Sequence, residues 1–146
     1  MVWSAHAAHP LLTILIPLMV AVCVTLFSKA PMAFAQTRTK RGYDNASPRE
    51  QQERLEGWGA RARAAHHNGW EAFQILGIGA ACVLATGHDG VIAAALGWVW
   101  IGARVFYTAA YVKGLGVVRT TFWCLALGCS FGLYVLALVG SPVGVP

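Results

Sequence analysis

Four apolar blocks, separated by polar stretches, dominate the pattern of hydrophobic and polar positions along the chain. They cover residues 11–35, 60–86, 91–112 and 117–139. Each block is near or above the roughly 20 residues that a helix needs to cross a bilayer. Helices suit lipid because each one satisfies its own backbone hydrogen bonds. The pattern therefore predicts an all-α membrane protein, a bundle of four transmembrane helices forming a single domain over residues 1–146.

The connections between the blocks predict how the spans follow one another. Gly87-His-Asp-Gly90 has the composition of a tight turn, and Lys113-Gly-Leu-Gly116 has it as well. We therefore expect spans two, three and four to run antiparallel in sequence order. The first connection, residues 36–58, is longer and polar. Within it, Ser47-Pro48-Arg49-Glu50 has the pattern of a helix start, with Ser47 as the N-cap and Glu50 closing a capping box.

Composition and charge agree with a membrane protein. The chain is 57% hydrophobic and 12% charged, with a mean hydropathy of +0.55. That apolar share exceeds the roughly 45–50% that is usual for soluble domains. All eleven Lys and Arg residues lie within residues 29–63 or at Arg104, Lys113 and Arg119. The positive-inside rule then places loop 36–58 in the cytoplasm and both termini on the opposite side. The formal net charge of +5 indicates topology, and no nucleic-acid partner is needed to explain it.

Neither the four cysteines nor the adjacent pair His66 and His67 has the spacing of a metal site. His6 and His9 could form a two-histidine site, but an exposed polar end is the favoured interpretation. Four cysteines stand singly in apolar blocks, so we expect buried, inert thiols. His66 and His67 are adjacent and point to different parts of a helix, which favours hydrogen bonding over a shared metal. Ala33-Phe-Ala35 resembles a signal-peptidase site, but the basic cluster follows the apolar run, so we expect a retained span.

The second block begins with polar side chains that can face one another. Arg61, Asn68 and Glu71 are separated by seven and three residues, so on a helix they fall within roughly one quadrant of the surface. A carboxylate inside a membrane span is costly unless it is paired. Glu71 therefore indicates a functional site.

The third block has a polar stripe at helical spacing. Its members, at i, i+3, i+4 and i+7, are Arg104, Tyr107, Thr108 and Tyr111. Arg104 lies about two turns inside the span, and we expect Glu71 to be its ion-pair partner. For Tyr111, an interfacial aromatic role is the competing interpretation.

Arg119 opens the fourth block, where the helix dipole disfavours a cation. It either marks the inner boundary of the span or helps to stabilise an anion such as a thiolate. Arginine forks bind carboxylates, and a glutamate accepts from an ammonium. The whole polar inventory thus suits a small zwitterion with more than one carboxylate.

These motifs resemble the MAPEG family, the membrane-associated proteins in eicosanoid and glutathione metabolism. The resemblance rests on three segments: Asn68-Gly-Trp-Glu71 with the arginine-rich residues before it, Arg104 to Tyr111, and Arg119-Thr120. The segment from Tyr43 to Arg49 is similar to bacterial members. The resemblance implies a homotrimer of four-helix subunits that binds glutathione between subunits near the cytoplasmic face, in a bacterial inner membrane.

The resemblance also implies roles for individual residues. Positions matching glutathione contacts are Asn68, Glu71, Arg104 and Tyr111, and Tyr107 occupies a position where members vary. Arg119 matches an arginine assigned to thiolate stabilisation, and Arg38 resembles one contributed by the adjacent subunit. Members commonly have an arginine four residues before the Asn, where this chain has Ala64. Arg61 faces Asn68 better than Arg63 does, so we expect Arg61 in the glutathione site.

The resulting functional expectation is a glutathione transferase or peroxidase that acts on hydrophobic electrophiles from the membrane. Its thiol co-substrate would be glutathione, and its other partners would be lipids and two further copies of the chain. Two alternatives stay open: a non-catalytic lipid-binding or accessory protein on the same scaffold, and a proton-coupled exporter suggested by Glu71.

Overall fold

The computed structural model describes residues 13–139, which contain six helices and no strand. The helices are α1 (Leu15–Phe27), α2 (Ala30–Thr37), α3 (Pro48–Glu53), α4 (Gly57–Thr86), α5 (Val91–Lys113) and α6 (Gly116–Val139). Four stretches are long and apolar enough to cross a membrane, namely residues 15–37, 57–86, 91–113 and 116–139. The predicted all-α bundle of four membrane-spanning helices is confirmed. The predicted start of the first span at residue 11 lies outside the described residues.

The first span consists of two helices joined at Ser28 and Lys29. Pro31 lies in the first turn of α2 and has no amide to donate back to α1, which accounts for the interruption. The hydroxyl of Ser28 donates to the carbonyl oxygen of Thr25 at 2.6 Å. This break places Lys29 at the N-cap of α2, between the two helices of the first span.

Two glutamines attach the polar loop to the end of α2. Gln36 is fully buried, and its Nε2 donates to the carbonyl oxygen of Pro48 and to Oε1 of Gln51, each at 3.0 Å. Gln51 Nε2 in turn donates to the carbonyl oxygen of Gly42 at 2.6 Å and to Thr39 Oγ1 at 3.1 Å. Because buried amides are held by specific partners, α3 is fixed in place against α2.

The predicted helix start at Pro48 is confirmed, but the predicted capping box is wrong. Ser47 is the N-cap residue and makes no side-chain capping bond. Instead, Asp44 Oδ1 accepts from the backbone amides of Ala46 and Ser47, at 2.9 and 3.0 Å. Glu50 forms an ion pair with Arg54 one turn further on. An Asx turn has therefore replaced the reciprocal cap, as short polar side chains in loops commonly do.

Both predicted turns are present and use glycine for the same reason. Gly87 follows α4 with φ of 73°, and Gly114 follows α5 with φ of 78°. This left-handed conformation is strained for residues with a Cβ and ends a helix by directing later amides back to its last carbonyls. Two short turns thus join α4, α5 and α6 into consecutive hairpins.

The core lies where α1, α4, α5 and α6 meet. Its fully buried large side chains include Ile14, Leu76, Trp100 and Leu133. Close approach of α1 to α5 depends on Gly97, because a Cβ there would lie 2.8 Å from Cβ of Pro17. Large apolar side chains also cover the outside of the bundle, which is the arrangement expected where lipid replaces water.

Candidate functional site

A hydrogen-bonded set of three polar side chains connects α4 to α5. Asn68 Nδ2 donates to Glu71 Oε2 at 3.0 Å, and Arg104 Nη2 donates to Asn68 Oδ1 at 3.1 Å. We call Glu71, Asn68 and Arg104 the polar set. Both ends of the Asn68 amide are engaged, and the charged groups on either side define its orientation.

The predicted direct ion pair between Glu71 and Arg104 is absent. Within residues 13–139 the one pair within ion-pair distance is Arg54 with Glu50, in the loop. Asn68 lies between the two charged groups, and its amide forms a hydrogen bond with each of them. The physical reason is the stacking of Arg104, whose guanidinium carbon is 4.0 Å from the Tyr107 ring centroid on its own helix. This contact directs the guanidinium towards Asn68.

Arg104 is almost completely buried, with 3% of its surface exposed, yet its hydrogen bonding is incomplete. Its Nη1 is buried and has no partner among the described residues. Glu71 differs, because it is exposed in the single chain although it occupies the middle of α4. The polar set therefore offers one unused cationic donor and one accessible carboxylate.

Aromatic rings extend the polar set towards the start of α6. The ring centroids of Tyr107 and Tyr111 are 5.6 Å apart in an edge-to-face arrangement. The guanidinium carbon of Arg119 lies 4.7 Å from the centroid of the Tyr111 ring. The stripe predicted on α5 thus forms a continuous column from Arg104 to Arg119. Thr108, the remaining residue of the stripe, is not part of this column, because its hydroxyl donates to the carbonyl oxygen of Arg104.

Two predicted site residues, Arg61 and Arg38, lie outside this connected group. Arg61 Nε donates to the carbonyl oxygen of Val112 at 3.0 Å, close to Gly114. It therefore caps the end of α5, where free carbonyls and the helix dipole attract a cation. Arg38 is exposed and stacks on Phe34, with its guanidinium carbon 4.8 Å from the ring centroid. Within one chain, neither arginine contacts the polar set.

A small cavity of about 100 Å³ opens beside the polar set. On α6, its lining residues recur at helical spacing, and sequence reasoning missed all of them: Trp123, Ala126, Leu127 and Ser130. Their i, i+3, i+4, i+7 pattern is visible in the sequence, but any packed face of a span has the same pattern. Since a liquid water occupies roughly 30 Å³, the cavity has room for a group such as one carboxylate.

The cysteines and histidines contribute no metal site to the described part of the chain. Over residues 13–139, no three His, Cys, Asp or Glu side chains lie close enough to hold a metal ion. Cys23, Cys82, Cys124 and Cys129 are all free thiols, and Cys23 and Cys124 are exposed rather than buried as predicted. His66 Nδ1 lies 2.8 Å from Ser28 Oγ, which confirms the expected hydrogen-bonding role.

The fold and the site together define the class: a membrane protein of four spans with a carboxylate–amide–guanidinium set between its second and third spans. Comparison with protein families identifies the family. The model of the MAPEG family matches residues 14–139, nearly the whole chain, so the chain belongs to that family. The family includes glutathione transferases and peroxidases as well as other members. Searches of the curated proteins and of the solved structures found no match.

Proposed function

We propose that this protein binds glutathione at the polar set and uses the thiol to attack hydrophobic electrophiles dissolved in the membrane. The activity would be that of a transferase or a peroxidase. Membership of the MAPEG family supports this proposal. The single observation that carries it is the buried Arg104 Nη1, which has no partner among the described residues.

An unsatisfied guanidinium N–H group inside a membrane bundle is costly. A buried donor without a partner loses about 1–3 kcal/mol, and more when it is charged. A carboxylate entering the adjacent cavity would satisfy Nη1 and neutralise the charge. Glutathione carries two carboxylates and one ammonium, and the exposed Glu71 is a suitable acceptor for the ammonium. The polar set therefore complements both kinds of charge on this ligand.

The catalytic step that we assign to Arg119 is stabilisation of the glutathione thiolate. A free thiol has a pKa of about 8.5, and a neighbouring cation lowers it. Arg119 lies in the first turn of α6, where the helix dipole also favours an anion. In a transfer, the thiolate sulfur would form the new bond to carbon while the leaving group departs with its electron pair.

We also propose that the protein assembles as a homotrimer. Glu71 is exposed in one chain at the middle of a membrane-spanning helix, a position that lipid disfavours. A homotrimer would cover it and bring Arg38 of an adjacent subunit to the glutathione. We place loop 36–58 in the cytoplasm of a bacterial cell and both termini across the inner membrane, because the basic residues cluster in and around that loop.

A specific observation favours a second candidate function, non-catalytic lipid binding. A cleft of about 450 Å³ lies between the first span and α5, and its lining is almost entirely apolar. Phe27, Pro31 and Val105 are among its walls, and Lys113, in the last turn of α5, lines it as well. An acyl chain fits these walls, as does a hydrophobic acceptor on its way to the thiol.

Calorimetric titration of glutathione into the purified, detergent-solubilised protein tests the first proposal, alongside ultraviolet absorbance of the thiolate. We expect binding by the wild type and its loss in Arg104→Gln, whereas Lys113→Gln serves as the control for charge alone. Absence of both binding and a thiolate signal in the wild type would overturn the proposal. Retained lipid with no turnover against a panel of electrophiles would favour the second candidate.

A further inference from the structure

A second polar cavity, distinct from the one beside the polar set, lies among α2, α3 and α4. Its volume is about 780 Å³, within the range of small-molecule sites. We call it the cationic cleft, and its lining residues are Lys29, Met32, Pro48, Arg49, Gln52, Glu53, Arg63, His66, His67 and Trp70. The residues that α4 contributes recur at i, i+3, i+4 and i+7, and none of them lines the cavity beside Arg104.

The cationic cleft carries a surplus of positive charge. Lys29, Arg49 and Arg63 face a single carboxylate, Glu53, so three cations and one anion leave two positive charges without counting histidines. Neither Lys29 nor Arg49 makes a side-chain hydrogen bond within the described residues, and Arg63 uses only Nη1, towards the carbonyl oxygen of Gln52 at 3.3 Å. Most donors of the three cations are therefore available to a ligand.

The walls of the cleft are held in place by contacts away from its charges. The buried Gln36 fixes α3, and with it Arg49, against the end of α2. On the opposite wall, the contact between Ser28 and His66 joins the α1–α2 break to α4. Since the Ser28 hydroxyl already donates to Thr25, the His66 ring supplies the proton of this contact and has a structural role.

The position of the cleft limits the classes of ligand that can reach it. It lies between α3, in the polar loop, and the amino-terminal half of α4, so its loop side is the part nearest to the lipid headgroups. Pro48 and Trp70, both half-buried, add apolar surface beside the cations. A phosphate group presents several strong acceptor oxygens, and arginine forks match its geometry.

We propose that the cationic cleft is a phosphate-binding site, separate from the glutathione site, which takes a phospholipid headgroup or a soluble phosphate. Lys29, Arg49 and Arg63 bind the phosphate oxygens. The apolar side chains accommodate the part of the ligand that leads towards the membrane. Neither role depends on the polar set or on Arg119.

Two probes distinguish the sources of the phosphate. In the first arm, the full-length protein is taken from vesicles of phosphatidylcholine and phosphatidylglycerol in equal parts, and native mass spectrometry measures which lipid it retains. In the second, inorganic phosphate is titrated into the detergent-solubilised protein and thermal stabilisation is compared with that in sodium chloride of equal ionic strength. Enrichment of phosphatidylglycerol identifies a headgroup site, and stabilisation by phosphate without lipid enrichment identifies a soluble ligand.

The deciding variant is Lys29→Gln/Arg49→Gln, which removes two cations without breaking a hydrogen bond of the described structure. Its matched control is Lys40→Gln/Arg41→Gln, which removes two cations from the polar loop outside the cleft. We expect the first variant to lose at least about tenfold in binding of the probe, and the control to stay within about twofold of the wild type. Arg49→Gln alone is the second variant, because its exposed position on α3 tolerates the change if the double variant misfolds.

Three results would overturn the proposal. The wild type could bind neither probe, the control could lose as much as the cleft variant, or glutathione could displace the bound probe from the wild type. The last result would make the cleft part of the glutathione site. A protein that binds phosphate but never glutathione would leave this proposal standing and remove the proposed function.

Discussion

Asn68 is the residue on which the polar set depends, so Asn68→Ala is its sharpest test. The substitution removes the Arg104 partner and the Glu71 donor together. A hydrogen bond to a charged group contributes about 1.5–3 kcal/mol, and Arg104 is 3% exposed, so its bond receives the full value. Glu71 loses its Asn68 donor as well, but it is exposed in the chain, so only the bond of the buried Arg104 enters the expected value. We therefore expect Asn68→Ala to lower the free energy of unfolding by about 2–3 kcal/mol, nearly all from Arg104.

The measurement is denaturant or thermal unfolding of the detergent-solubilised protein, followed by circular dichroism. Gln74→Ala is the matched control, because Gln74 is an exposed amide on the same helix without a side-chain hydrogen bond in the described structure. Glutathione titration of both variants adds a functional reading. If Asn68→Ala has the same free energy of unfolding as Gln74→Ala and the wild type, the hydrogen bond from Arg104 to Asn68 does not stabilise the fold. The argument from its buried guanidinium then fails as well.

Glu71→Ala should weaken glutathione binding by about tenfold with little loss of stability, because Glu71 is exposed in the chain; unchanged affinity in calorimetry would make the carboxylate incidental. Arg119→Ala should lower turnover while sparing affinity, and steady-state kinetics that match the wild type would return Arg119 to a topological role. Gln36→Ala should expose loop 38–56 to limited proteolysis, since the buried amide fixes that loop; an unaltered digest would contradict this. Gly97→Ala should cost about 1–3 kcal/mol by overpacking, whereas Gly102→Ala, which meets open space, should be neutral; equal melting temperatures would refute the packing argument.

The elements of the fold could be predicted from local sequence because each has a local cause. Span length and apolar composition mark a membrane helix without reference to the rest of the chain. A left-handed turn needs a residue such as Gly87 or Gly114, and both mark helix ends in the sequence. Asn68, Glu71 and Arg104 were likewise identifiable, since polar groups in a span are rare and costly.

The connections among those polar residues could not be predicted, because they depend on which helix faces meet. Arg61 shares a face with Asn68 by spacing, yet it donates to the end of α5, about 10 Å further along the helix axis. The amide of Asn68 separates Glu71 from Arg104, although spacing and charge predicted a direct pair. Helical periodicity specifies a direction around one axis and contains no information about the neighbour found there.

The cationic cleft shows most clearly the difference between what local sequence predicts and what tertiary packing decides. Lys29, Arg49 and Arg63 come from three separate segments, and along the chain each one looks like a charge at the edge of a membrane span. The side-chain amides of Gln36 and Gln51, which fix α3 against α2, bring Arg49 into one cavity with the other two. The sequence by itself determined the spans, their turns and the presence of unpaired charge. Tertiary packing decided which charges share a cavity, because that depends on contacts between residues distant in the chain.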